Sequence, residues 1–393
     1  MEFRFSDEQK MIRESARTFL HEVSTSAAVR QAMATESGYD PALWQRICEE
    51  LCFQAITVPE AYGGMGLGQV ELAIVLEQMG QVLLCSPFFS TVGLAVNALV
   101  LGGTETQKQQ YLPEIAAGSL TATVGWTGAA TAHSGGQWGC EAISVEWQET
   151  EDGYCLNGDL RYVIDGHTAD LLIIAARGKD CKEGDTVAWF AVPATAVGIE
   201  REWQPSMDQT RRLARIILRN VSLPDSARMT AQTDGSKLLT QIVDLAKLAL
   251  AAEQMGAAQK VLDMSVAYMQ ERVQFGRPIA SYQSLKHKAA DMMLKCEVSR
   301  SAVYYAACVA QEYLAECNSQ QAVLALREAA AMAKAYCSDT LFYNAGSAIQ
   351  LHGGVGFTWE YDVHLYFKRA KASELYLGAA PAQRELIASM LLD

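Results

Sequence analysis

The sequence predicts an α+β protein with three parts, in which a β-barrel or β-sandwich domain follows one helical domain and precedes another. Three observations predict this order. Apolar residues recur at helical spacing up to about residue 118, short β-rich runs broken by Gly, Asp, Asn and Pro follow, and long helical patterns return from about residue 226. Strands and helices do not alternate, which excludes a Rossmann unit. The predicted domains are residues 1–118, 119–225 and 226–393.

The first part is predicted to be entirely helical. Ser6 and Gln9 form a capping box, and Phe19 and Leu20 continue an apolar face at helical spacing. Further helical patterns follow in "ALWQRICEELC", "VELAIVLEQMGQVLL" and "TETQKQQYLPEIAAG". Gly and Pro separate these patterns and mark the connections between the helices.

The middle and last parts differ in their periodicity. Runs such as "GYCLNGDLRYVIDG", "DLLIIAAR" and "TVAWFAVPA" have the length and spacing of strands in a small barrel or sandwich. The last part begins with the long helical pattern "SKLLTQIVDLAKLALAAEQMG", whose small and apolar residues cover more than one face. A helix with such a wide apolar perimeter is expected to be buried among other helices.

The composition limits the partners of the protein. The 393 residues include 32 Lys and Arg against 45 Asp and Glu, a net charge of -13. An acidic surface repels phosphate backbones and anionic lipids, so neither a nucleic acid nor a membrane partner is expected. The ten cysteines form no CxxC pair, which is typical of free thiols in a reducing cytosol, and no metal site is predicted. The N-terminal segment has a charged helical pattern rather than that of a signal peptide, so a cytoplasmic location is expected.

Two segments carry residue types that suit a phosphate-bearing ligand. In "RVQFGRPI", residues 272–279, two arginines and an aromatic residue follow the long helix, and they either end that helix or bind a pyrophosphate. Gly353 and Gly354 follow an apolar helix, where they serve as a C-cap or admit a ligand to bare backbone N–H groups. The neighbouring His352 is expected to be structural. The residues alone leave the alternatives for both segments open.

These segments resemble the acyl-CoA dehydrogenase family. The resemblance rests on "ERVQFGRPIASYQSLKHKAADM" and "QLHGGVGFTWEYDVHLYFKRAKASELYLG", and it extends over the whole chain through "VPEAYGGMGLG", "GTETQKQQYLPEIAAG" and "MDQTRRLARIILRNVSLP". It implies a C-terminal four-helix bundle and FAD bound between the β domain, that bundle and a neighbouring subunit. It also implies α,β-desaturation of an acyl-CoA thioester, with a base for the α proton, the flavin for the β hydride, and an electron-transfer flavoprotein as electron acceptor.

The resemblance assigns the cofactor contacts residue by residue. Arg272, Gln274 and Phe275 match the segment that reaches the FAD of an adjacent subunit, and Tyr162 matches the aromatic residue that covers the isoalloxazine ring. The residues implied to bind FAD are Trp126, Thr127, Tyr162, Arg272, Gln274, Phe275, Gln283, Gln350, Gly353 and Gly354.

The sequence departs from the family pattern at the catalytic base. Most members carry a glutamate in a "YEG" triplet, where this chain has Leu377, and a second, less common position for the base is matched by Ala246. Neither side chain accepts a proton. Glu253 follows Ala246 by two helical turns and is either a substitute base or a structural carboxyl group. Ile164 also replaces a hydroxyl residue that often bonds near flavin N5.

With these departures the chain resembles a particular branch of the family. That branch includes bacterial dehydrogenases for steroid side chains and other bulky acyl-CoAs. In that branch two homologous chains assemble as an α2β2 heterotetramer and share each active site. The leading hypothesis is therefore an FAD-dependent acyl-CoA dehydrogenase subunit whose partner supplies the base. The alternatives are a self-sufficient homotetramer that uses Glu253 and a noncatalytic scaffold subunit.

Overall fold

The protein is described by a computed structural model in which the order of helical, β and helical segments is confirmed. The chain divides into two compact units, and each unit combines segments that are distant in sequence. The helical unit comprises Met1–Gln31, Gln69–Leu84 and Lys247–Asp393, and the sheet unit comprises Ala32–Gly68 and Cys85–Ala246. The domain boundaries predicted at residues 118 and 225 stay predictions. The described residues are 5–129, 138–179, 187–230, 234–315 and 319–392.

The predicted capping box starts the first helix. Gln9 N donates to Ser6 Oγ at 3.2 Å, and Ser6 N donates to Gln9 Oε1 at 3.0 Å. Thr104 and Gln107 repeat the motif at the start of a later helix, Glu105–Ala116. The helices of the first third are α1 Asp7–Val23, α2 Ser26–Ala34, α3 Pro41–Arg46, α4 Gln69–Gln81, α5 Asn97–Gly102 and α6 Glu105–Ala116, with π-helical turns at Ile47–Leu51 and Phe89–Val96.

The middle of the chain forms one mixed sheet. Its strands are β1 Ala122–Gly125, β2 Val145–Thr150, β3 Gly153–Ile164, β4 Leu171–Gly178, β5 Val187–Pro193, β6 Ile199–Gln204, β7 Leu213–Leu223 and β8 Arg228–Met229. The strand order is β6-β7-β3-β2-β4-β5-β8, and β1 pairs with β4. The β1–β4 and β2–β4 pairs are parallel, and the other pairs are antiparallel. Buried residues of β2, β3, β4, β5 and β7 form one apolar cluster, so the sheet curls around its own core.

The described residues of the last third form helices and one short hairpin. The elements are α7 Gly235–Glu271, β9 Val273–Gln274, β10 Arg277–Pro278, α8 Gln283–Ala315, α9 Gln320–His352, α10 Val363–Leu375 and α11 Ala380–Leu392. Helix α7 is buried on more than one face, as its apolar perimeter predicts: residues 245–252 are all buried.

Two glycines allow α4 and α7 to touch backbone to backbone. A Cβ atom built on Gly80 of α4 would lie 2.1 Å from the carbonyl oxygen of Glu253. A Cβ atom built on Gly256 of α7 would lie 1.9 Å from the carbonyl oxygen of Glu77. Both distances are too short for any side chain, so the helix crossing requires glycine at both positions.

None of the helices in the described ranges has both the length and the apolar character needed to span a membrane. The His, Cys, Asp and Glu residues of those ranges also form no group of three that could hold a metal ion.

Candidate active site

The segment after α7 is a hairpin whose tip carries an exposed aromatic ring. Strand β9 pairs with β10, and the two turn residues, Phe275 and Gly276, have φ values of 53° and 78°. A two-residue turn with positive φ at both positions matches the twist of the flanking strands. The Phe275 side chain is 92% exposed. A large apolar ring held on such a turn is well suited to contact another molecule.

Three further predicted residues flank this tip. Arg272, Gln274 and Gln283 are all exposed. The Tyr282 hydroxyl donates to Gln274 O at 3.1 Å and fixes the hairpin to the start of α8. The structure therefore brings Arg272, Gln274, Phe275 and Gln283 into one exposed segment of the helical unit.

Gln350, Gly353 and Gly354 lie at the C-terminus of α9. Gly353 N donates to the carbonyls of Gln350 and Ile349, so this residue, with φ of 64°, is a C-cap. A Cβ atom on Gly353 or Gly354 would meet nothing within 4 Å, which leaves the backbone open to a ligand. The same glycine pair can therefore act as a C-cap and also leave its backbone N–H groups open to a ligand, which are the two roles that the sequence left open.

His352 connects this glycine pair to the end of α7. Its Nδ1 atom lies 2.8 Å from Ala348 O, and its ring stacks on Tyr268 with 4.3 Å between centroids. Burial lowers the pKa of His352. Tyr268 in turn donates from its hydroxyl to His352 O and accepts from the main chain of Arg272 through its own carbonyl. The predicted structural role of His352 fits these contacts.

In the sheet unit, Trp126 and Thr127 lie beside the strand segment that carries Tyr162. The Thr127 hydroxyl donates to Arg161 O at 2.7 Å, and Arg161 N donates to Thr127 O at 2.8 Å. Trp126 Nε1 donates to Trp138 O at 3.0 Å. Because the Thr127 hydroxyl is engaged within the chain, a flavin contact through that group stays a prediction.

The backbone around Tyr162 has an unusual conformation. Tyr162 and Asp165 have φ values of 62° and 53°, in the left-handed region. This region costs a residue with a side chain about 1–2 kcal/mol. Between them, Ile164 is buried, and its carbonyl accepts from the Thr123 hydroxyl at 2.6 Å. The segment is therefore held in place by its neighbours.

The loop 376–379, between α10 and α11, carries the position where the family resemblance expects the base. Leu377 is 1% exposed and has a φ of 61°, and Gly378 follows with a φ of 93°. A left-handed leucine costs about 1–2 kcal/mol, so contacts from elsewhere must hold the loop. One such contact is the Gln383 side-chain amide, which donates to Leu377 O at 2.9 Å.

A second contact comes from Lys334 of α9, a fully buried lysine. Its Nζ atom donates to Glu374 O at 3.1 Å, Gly378 O at 3.2 Å and Ser338 Oγ at 2.8 Å. Three oxygens match the three N–H groups of an ammonium ion. Burial, followed by the nearby charge of Lys247, lowers the pKa of Lys334 to about 7.

This lowered pKa predicts a pH-dependent contribution to stability. The unfolded chain keeps the Lys334 proton up to about pH 10.5, whereas the folded chain releases it near pH 7. Between these values the unfolded state binds more protons, so the free energy of unfolding rises with pH. Below pH 7 Lys334 is charged in both states, and the folded state bears the full cost of burying that charge. We expect the difference in unfolding free energy between wild type and Lys334→Met to rise from pH 7 to 10 in urea titrations. A pH-independent difference would contradict this, and Lys286→Met, at an exposed position of α8, serves as the control.

The residue at the second family position for the base cannot accept a proton either. Ala246 is completely buried in α7. Glu253 is 7% exposed, and its main chain lies in the α4–α7 crossing against Gly80. This location favours a structural role for Glu253, although its catalytic role stays a prediction.

Comparison with known proteins identifies the family. The model described as "Acyl-CoA dehydrogenase, N-terminal domain" matches residues 6–119, and "Acyl-CoA dehydrogenase, C-terminal domain" matches residues 233–392. The acyl-CoA dehydrogenase IpdE2 of Mycolicibacterium smegmatis is 34% identical over 373 residues, which cover 95% of each chain. The chain belongs to the acyl-CoA dehydrogenase family. It is accordingly assigned as an oxidoreductase that acts on an acyl-CoA.

Solved acyl-CoA dehydrogenase structures agree with the fold. The chain resembles the ChsE4–ChsE5 complex of Mycobacterium tuberculosis with a TM-score of 0.87 at 25% identity, covering 100% of this chain and 99% of the other. It resembles a variant of the Tcur3481–Tcur3483 steroid acyl-CoA dehydrogenase with a TM-score of 0.83 at 27% identity and 98% coverage of both chains. The sequence-based resemblance to this family and branch is confirmed.

Sequence reasoning missed the two side chains that hold the loop 376–379. Lys334 and Gln383 are buried polar residues that lie outside the motifs on which the family resemblance rests. A signal for Lys334 was present, because it stands within the apolar run "AAAMAKAYCS" at a position that helical periodicity places in the core. A lysine at such a position is rarely buried without partners.

Proposed function

We propose that this chain is one subunit of a hetero-oligomeric, FAD-dependent acyl-CoA dehydrogenase whose homologous partner supplies the catalytic base. The observation that carries the proposal is the pair Leu377 and Ala246. Both stand at family base positions, both are buried, and neither can accept a proton. Because a positioned general base contributes about 10²- to 10⁴-fold, its loss requires a substitute.

An exposed apolar surface on α8 and α9 supports assembly with another chain. Lys295 lies with its Nζ atom 4.9 Å from the centroid of the Tyr343 ring, which connects the two helices at this surface. Large exposed apolar side chains in such number mark a protein interface. They are Met293, Leu294, Val298, Tyr305, Phe342 and Tyr343. Two solved relatives, ChsE4–ChsE5 and Tcur3481–Tcur3483, carry two chain names each, which supports a hetero-oligomer.

The residues of the helical unit fit a dinucleotide. When bound, FAD supplies the acceptor for the hydride that leaves the β-carbon of the acyl group. In the proposed site Arg272 would donate to pyrophosphate oxygens, and Phe275 would contact the cofactor of an adjacent subunit. Gly353 and Gly354 admit the cofactor to the main chain, because a side chain there would fill the open space beside them. For the sheet unit, the family resemblance assigns Tyr162 as the aromatic residue that would cover the isoalloxazine ring.

We also propose an electron acceptor, a location and a substrate class for the reaction. Electrons leave to an electron-transfer flavoprotein, and the reaction takes place in the cytoplasm. The acyl group to test first is a bulky, ring-bearing one, because one relative is described as a steroid acyl-CoA dehydrogenase. The proposed role is therefore in lipid or steroid catabolism.

The experiment is to purify the chain alone and together with a homologous chain encoded nearby. We expect the single chain to retain little FAD and to show no bleaching of the flavin by acyl-CoA. The mixture is expected to bind FAD stoichiometrically, to have the native mass of a heterotetramer and to bleach on substrate addition. Rapid bleaching by the single chain would contradict the proposal.

A self-sufficient enzyme that uses Glu253 is the second candidate, and its support is the burial of that carboxyl group in α7. If Glu253 is the base, Glu253→Gln abolishes bleaching while FAD stays bound. Unchanged bleaching in that variant would remove this candidate. A noncatalytic scaffold is excluded if FAD contacts from this chain prove essential to turnover of the complex.

A further inference from the structure

The hydrogen bonds of Lys334 bracket Leu377 on both sides. The ammonium donates to the carbonyl three residues before Leu377, at Glu374, and to the carbonyl one residue after it, at Gly378. Leu377 O itself accepts from Gln383. Three carbonyls of this short stretch of chain are therefore fixed by side chains from α9 and α11, and the Leu377 side chain takes no part in these bonds.

The position of the Lys334 side chain is itself determined by three helices. Ser338, one turn further along α9, accepts from Lys334 and donates to Gln254 Oε1 of α7 at 3.2 Å. Gln254 Nε2 lies 3.1 Å from Ser373 Oγ of α10. All four residues are almost completely buried, so water cannot replace a missing partner.

We propose that Lys334 is a positioning residue that sets the backbone of the loop 376–379 independently of the residue at position 377. The loop keeps its left-handed conformation with leucine there, and it would hold a glutamate in the same place. The assignment of this loop to an active site rests on the proposed function. The positioning role of Lys334 rests only on its hydrogen bonds.

The charges around Lys334 add an electrostatic consequence. Lys247 of α7 faces it, while the opposing charges are Glu374 of α10 and Asp339 of α9, and the Cys337 thiol of α9 also lies nearby. Lys371 pairs with Glu374, and Arg384 of α11 pairs with Asp339. These anions share their charge between Lys334 and other cations. Because the ammonium donates to the carbonyl of Gly378, next to position 377, it is expected to stabilise a carboxylate introduced there.

The first test measures the loop without reference to catalysis. Hydrogen–deuterium exchange of peptides covering residues 372–383 is compared in wild type, Lys334→Met, Lys334→Gln and Lys286→Met. We expect at least a tenfold loss of protection in Lys334→Met, partial recovery in Lys334→Gln, which keeps a donor, and no change in Lys286→Met, which alters an exposed lysine of α8. Wild-type protection in Lys334→Met would overturn the proposal. If that variant does not fold, the same criterion applies to Lys334→Gln.

The second test uses the Leu377→Glu background and follows flavin reduction against pH. Removing the cation with Lys334→Met is expected to move the acid limb of the profile to higher pH, because the carboxylate loses a stabilising charge. A limb that does not move would contradict the electrostatic part of the proposal. If Leu377→Glu reduces no flavin although FAD is bound, the assignment of the loop 376–379 to the active site fails, and hydrogen exchange still decides whether Lys334 holds the loop.

Discussion

Leu377→Glu is expected to give the isolated chain, supplied with FAD, a rate of flavin reduction by acyl-CoA about 10²- to 10⁴-fold above that of wild type. The loop is already in a left-handed conformation that glutamate tolerates as well as leucine does, because neither is β-branched. Stopped-flow bleaching of the flavin by a panel of acyl-CoA thioesters measures the change.

The matched control for this gain is Leu377→Gln, which has the shape of glutamate and cannot accept a proton. Both substitutions place a polar group at a position that is 1% exposed, so both are expected to reduce stability similarly. Only the glutamate variant is expected to bleach the flavin. Equal inactivity of the two variants with FAD bound would show that position 377 does not deliver a base.

Gly256→Ala is expected to destabilise the helical unit by about 1–3 kcal/mol, even though alanine is the better helix former. The added methyl group would lie 1.9 Å from the carbonyl oxygen of Glu77, so α4 and α7 must separate. Separation would disturb the contacts around the buried Glu77 side chain, which accepts from the Tyr304 hydroxyl at 2.5 Å and pairs with Arg300. Urea or thermal denaturation monitored by circular dichroism measures the loss.

The control for this prediction is Gly346→Ala in α9. A Cβ atom there would have Phe367 as its nearest contact, at 3.8 Å, which is an ordinary packing distance. Alanine should then stabilise the helix by up to about 1 kcal/mol. If Gly256→Ala and Gly346→Ala change stability in the same direction, the close approach of α4 and α7 does not limit stability.

Local sequence signals were sufficient for the elements and their order. The capping box at Ser6 and Gln9 involves atoms three residues apart, so its geometry follows from the chain itself. The apolar perimeter of α7 predicted its burial for a similar reason, because helical periodicity depends only on neighbouring residues. The family motifs likewise led to Arg272, Phe275 and the glycine pair, which the structure exposes in the helical unit.

The sheet was predicted less completely. The strand runs indicated a barrel or sandwich, and the structure has one mixed sheet with β1 and β2 parallel to β4. Strand order depends on pairing between residues far apart in sequence, which short β-rich runs do not encode individually. The curling of the sheet around its own core is similarly a property of the whole sheet.

The sequence alone determined that the chain has helical, β and helical parts, that it resembles acyl-CoA dehydrogenases, and that leucine and alanine occupy the expected base positions. Only the tertiary structure decided how the base loop is held, because Lys334 and Gln383 reach it from helices α9 and α11. The same is true of the α4–α7 crossing, where Gly80 and Gly256 matter through backbone atoms that are far away along the chain. Contacts of this kind depend on which helices become neighbours, and no local pattern specifies that choice.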